Sequence, residues 1–89
     1  MSPNTEKDTI PANHGQIFTV DIEDEYAFSD VQASIMQLTG IKEVLFDDGV
    51  FPHEVIIHTE RPVSTADVQQ AVRQHGFQAT PVSAFPLTP

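Results

Sequence analysis

Apolar and polar residues alternate over positions 17–22, which sets Phe18, Val20 and Ile22 on one side of an extended segment, as in a half-buried strand. Past an acidic stretch the period lengthens: Val31, Ile35 and Leu38 recur at i, i+4 and i+7 and predict an amphipathic helix. Alternation returns over 42–47, with Val44 and Phe46 aligned, and Glu54–Thr59 is apolar on both faces, which suits a central strand. Val68, Ala71 and Val72 mark a second helix. A last strand is expected over 77–82, where Pro81 lacks the donor an interior strand needs and therefore predicts a sheet edge.

The punctuation between these segments fits. Ser29 and Ser64 stand where a side-chain oxygen can accept from an orphan N–H of a first helical turn. Gly40 and Gly76 suit the left-handed position past a helix end, and each is followed at once by an apolar residue, Ile41 or Phe77, opening a strand. Asp48-Gly49 signals a turn, but the connection runs on through Val50-Phe51-Pro52, leaving two apolar residues at its tip. The order strand, helix, strand, strand, helix, strand predicts an α+β, ferredoxin-like βαββαβ sandwich: a four-stranded antiparallel sheet with two helices on one face. Residues 1–15, with two prolines and almost nothing apolar, are expected to be a mobile arm, 16–82 the domain, and 83–89 an irregular tail from which Phe85 and Leu87 could fold back on the body.

The run Val31…Ile35…Leu38-x-Gly40-Ile41-x-x-Val44, followed by Val63-Ser64-x-x-Asp67-Val68-x-x-Ala71-Val72-x-x-x-Gly76-Phe77, resembles the heavy-metal-associated (HMA) domain of small copper chaperones and metal-pumping ATPases. The resemblance covers roughly residues 17–80. In that family the activity resides in an M-x-C-x-x-C loop between the first strand and first helix. Counting back from Gly40 puts Asp24 and Ala27 at the cysteine positions and Ile22 near the methionine, so the family's metal-transfer chemistry is not expected here. The resemblance also implies that Phe77 packs beside that loop, with His75 close to it. Acylphosphatases and ACT-type regulatory domains share the element order, but their glycine-containing loop after the first strand is absent.

The chain has 89 residues, enough for one small domain, which would bury only about 60 % of its unfolded surface. It has no cysteine, which removes disulfides, thiolate metal sites and cysteine nucleophiles together. Thirteen acids against four bases give a net charge of −9 and argue against nucleic acid and anionic membrane as partners. No apolar run is long enough to span a bilayer, and a cytoplasmic protein is expected.

Three sites merit testing. Glu23, Asp24 and Glu25, with Asp21 or His75, could offer carboxylate and imidazole to a divalent ion, although soft Cu(I) would find no thiolate there. The competing reading is a solvated loop whose charges favour the adjoining helix N-terminus. His53 and His58, five apart on a strand, project to opposite faces and cannot chelate together. The third is a contact surface. Leu45 and Ile56 belong to the sheet face away from the helices, Val50 and Phe51 cap the hairpin, and Phe77 adjoins the loop. With no nucleophile elbow, phosphate loop or paired-acid cleft in the sequence, an enzyme is not expected. The favoured reading is a non-catalytic module that docks to a protein partner or to itself; ion binding at the acidic loop is the alternative.

Overall fold

The computed structural model describes residues 9–87. The elements are β1 (Thr9–Ile10), β2 (His14–Val20), α1 (Glu25–Met36), β3 (Ile41–Asp47), β4 (Glu54–Thr59), β5 (Val63–Ser64), α2 (Thr65–Arg73) and β6 (Ala79–Pro86). Four strands form an antiparallel sheet in the order β3-β4-β2-β6, while β1 and β5 pair as a separate two-stranded sheet. The expected four-stranded sheet and two helices are present; the small second sheet was not foreseen.

The strand periodicity translates directly into burial. Phe18, Val20, Ile22, Val44, Val55 and Ile57 turn inward and meet Phe28, Val31 and Ile35 of α1 and Val68, Ala71 and Val72 of α2 in one core. β4, apolar on both faces, is an interior strand, and Pro81 lies on the edge strand β6.

Helix α1 begins four residues before the expected Ser29. Asp24 takes the N-cap, and its Oδ1 accepts from the Ala27 N–H at 2.8 Å. The extra turn carries Phe28 into the core, where its ring stacks on Phe46 at 4.8 Å, a gain that a start at Ser29 would forfeit. Asp24→Ala should therefore cost about 1 kcal/mol in a thermal melt, while Asp24→Asn should stay close to wild type. A melt unmoved by alanine would show that the cap contributes nothing. Ser64 does precede α2, but its side chain makes no cap hydrogen bond. It is held instead in β5, opposite Thr9.

The two helix-ending glycines behave differently. Gly76 (φ +86°) completes a reversal in which its own N–H reaches the Arg73 carbonyl and the Phe77 N–H reaches that of Val72, the paired bonds of a Schellman motif. Helix α1 has already ended at Met36, and Gly40 (φ +101°) closes a separate turn before β3.

Both expected boundaries are corrected. Of the presumed arm, residues 1–8 lie outside the described part, but Ile10 is 1 % exposed and belongs to the core. The buried Thr59 hydroxyl donates to the Pro11 carbonyl at 2.6 Å and accepts from the His14 N–H at 3.1 Å, which pins the turn into β2. At the other end, β6 continues to Pro86. The ladder to β2 absorbs one extra residue, passing from Phe18↔Pro81 to Ile17↔Ser83, so the proline shifts the register without ending the strand. Phe85 then packs its ring on Gly15, where even a methyl group would collide with it.

Candidate functional site

The sheet face away from the helices is laid out in three rows across the strands. Glu43, His58, Gly15 and Phe85 form the first, Leu45, Ile56, Ile17 and Ser83 the second, and Asp47, Glu54, Thr19 and Thr80 the third. The first row is internally joined. Glu43 Oε1 lies 3.2 Å from His58 Nδ1, and the His58 ring meets Phe85 edge-on at 6.3 Å. Phe85 thus covers part of this face, as the sequence allowed. The second row is apolar and open, with Leu45 41 % exposed beside half-buried Ile56 and Ile17. The third row is acidic and polar.

Beyond the third row, the connection between β3 and β4 projects. Asp47 Oδ1 accepts from the Gly49 N–H at 2.9 Å and shapes the turn. Val50 is 41 % exposed and Phe51 is 94 % exposed at its tip. A phenyl ring held almost wholly in water gives the fold no burial energy, which marks it as a surface feature to be explained. His53, at the base of the loop, bonds the Ile22 carbonyl through Nδ1 at 2.9 Å and packs edge-on against both Phe46 and Phe51. The loop is therefore tied to the segment that follows β2. Between them opens a cleft of about 330 Å³, lined by Thr19, Val20, Asp21, Ile22, Glu23, Phe51, Pro52, His53, Gln78 and Thr80.

The proposed ion ligands do not converge. Asp24 is engaged as the helix cap, Glu25 lies in the first turn of α1, and Glu23 faces the cleft. His75 is elsewhere: its Nε2 hydrogen-bonds Ser34 Oγ at 2.8 Å, in the last turn of α1. Ten residues of rise put that point about 15 Å along the helix from Asp24. Among the described residues no group of three or more His, Cys, Asp or Glu side chains is placed to hold an ion. Of the presumed contact residues, Leu45 and Ile56 are direct cross-strand neighbours on the open face. Val50 and Phe51 crown the hairpin. Phe77 does not join them; it is half-buried against the core. Of the residues lining the cleft, Glu23 and Phe51 were among the expected sites and Asp21 was an optional ion ligand, while Thr19, Gln78 and Thr80 were missed. Asp21 directly follows β2 and accepts from the Gln78 N–H at 2.9 Å, a link across 57 positions that local patterning does not carry.

Neither a protein-family model nor a curated protein matches the chain. Among solved structures it is similar to the apo form of the HMA domain of copper chaperone for superoxide dismutase, with a TM-score of 0.63 and 19 % identity over 82 % of this chain and 71 % of that one. The likeness is one of fold, and it meets the expectation drawn from the helix–glycine–strand spacing. The chain is HMA-like in architecture and contains no cysteine.

Proposed function

We propose that this chain is a non-catalytic interaction domain of the cytoplasm that docks to a protein partner through its open sheet face and hairpin tip, with neither nucleic acid nor membrane as its target. The observation that carries this reading is the grouping of exposed apolar side chains. Phe51 and Val50, at 94 and 41 %, adjoin at the hairpin tip, and Leu45, at 41 %, lies on the open face of the same hairpin; Tyr26 and Met36 on α1 and Val82 on β6 are exposed singly. Lone exposed apolar residues need no explanation, whereas two side by side at the tip of one loop point to a contact region. Charge favours a foreign partner over a second copy. Two chains of −9 repel at long range, so a partner with basic character is favoured over self-association.

The test is the double substitution Val50→Ser, Phe51→Ser, compared with wild type as immobilised bait at equal folded concentration. Surface changes of this kind move stability by less than about 0.5 kcal/mol. The expected result is an unchanged thermal melt with at least a tenfold drop in whatever protein the wild type retains. Retention unaffected by the double change would overturn the reading, as would a wild type that sediments as a stable dimer at micromolar concentration.

A further inference from the structure

The cleft between the hairpin loop and the end of β2 has a composition that selects its occupant. Its accessible apolar surface is the loop side, exposed Phe51 and Pro52, with Val20 and Ile22 behind it closed into the core, and the exposed Asp21 and Glu23 are among its lining residues. No lysine or arginine lines it, and neither carboxylate forms an ion pair with any described residue. Thr19 and Thr80 belong both to the cleft and to the third row of the open face, so the two surfaces are continuous.

We infer that this cleft is the specificity pocket of the docking surface and receives an arginine side chain from a basic partner segment. An arginine fits each part. Its three-carbon stem can lie along Pro52, its planar fork can meet the carboxylates of Asp21 and Glu23, and its face can stack on the exposed Phe51 ring. A cleft of about 330 Å³ holds one such side chain with room for flanking backbone. The assignment rests on the docking reading and narrows it: the aromatic tip provides contact area, and the Asp21 and Glu23 carboxylates read charge.

The experiment is an amide-shift titration of the full chain with a blocked pentapeptide, GRLRG, beside its lysine and citrulline counterparts, at low and at physiological salt. The arginine peptide should give saturable shifts centred on Thr19, Asp21, Glu23, Phe51, His53 and Thr80. Lysine should bind at least threefold more weakly, and neutral citrulline should leave these amides unmoved. Asp21→Asn with Glu23→Gln should reduce arginine-peptide affinity at least fivefold; asparagine can still accept from the Gln78 N–H, which protects the fold. Equal shifts from citrulline would overturn the pocket, as would shifts spread over all acidic surfaces and indifferent to the double change. Shifts that grow with protein concentration alone would assign the cleft to a second copy and equally overturn it. A retained protein lost on Val50→Ser, Phe51→Ser but indifferent to Asp21→Asn, Glu23→Gln would reject the arginine pocket while leaving the docking reading standing.

Discussion

Replacing Ile10 with alanine is expected to unfold a large fraction of the protein, lowering stability by about 2–5 kcal/mol. The side chain is 1 % exposed, and it sits in the shared core although it belongs to a strand of only two residues. A domain of this size has a net stability of a few kcal/mol, so one such loss is comparable to the whole. At roughly 4–8 °C per kcal/mol the melting point should fall by at least about 8 °C. The measurement is a reversible thermal melt followed by circular dichroism, with Ile10→Val as the milder partner, costing about 0.5–1.5 kcal/mol. An alanine variant melting within 2 °C of wild type would mean that β1 is not seated against β5 in solution.

The next largest effect is expected at Gly40. An alanine there would take a left-handed conformation at φ +101°, and its methyl would lie 3.0 Å from Val63 Cγ2 and 3.1 Å from both the Cβ and the carbonyl oxygen of Arg61. The carbonyl cannot swing aside freely, because the same turn is fastened by the Glu60 N–H donating to the Gly40 oxygen at 2.8 Å. Strain and crowding together should cost about 2–4 kcal/mol. Gly76 is the internal control. It has φ +86° but nothing within 4 Å of the added carbon, so Gly76→Ala should cost only the backbone strain, about 1–2 kcal/mol. Denaturant titrations of the two variants should therefore separate by at least about 1 kcal/mol with unchanged m-values. Equal losses would show that the β4–β5 turn yields, and that packing around Gly40 carries no weight.

The sequence was readable where one residue's fate depends on its near neighbours. Phe18, Val20 and Ile22 alternate, and Val68, Ala71 and Val72 share a stripe, because each pattern is local and its period declares the element. The facing of Leu45 and Ile56 away from the helices was readable from strand alternation, and the exposure of Val50 and Phe51 from the length of the connection that carries them. What was not readable depended on partners far along the chain. Ile10 is a single apolar residue in a polar stretch, and its pairing with Val63, more than fifty positions on, is what the local pattern cannot announce. Ser29 and Asp24 are both competent caps; the stacking of Phe28 on Phe46 chooses between them. The position of His75 was inferred from a related architecture, and its hydrogen bond to Ser34 overrode that inference. The cleft needed three segments, 19–23, 51–53 and 78–80, to meet, and no single stretch announces it.

Each edge of the main sheet is touched by a glutamine from the helix beside it. Gln32 of α1 donates to the Val44 carbonyl on β3 at 2.8 Å, and Gln69 of α2 donates to the Ala79 carbonyl on β6 at 2.9 Å. An uncovered strand edge is a template for adding further strands, and these amides occupy an acceptor on either side, helped on β6 by two prolines with no N–H to offer. Each edge is thereby a poorer template for a further strand than a bare one would be, which disfavours growth of the sheet sideways from β3 or β6.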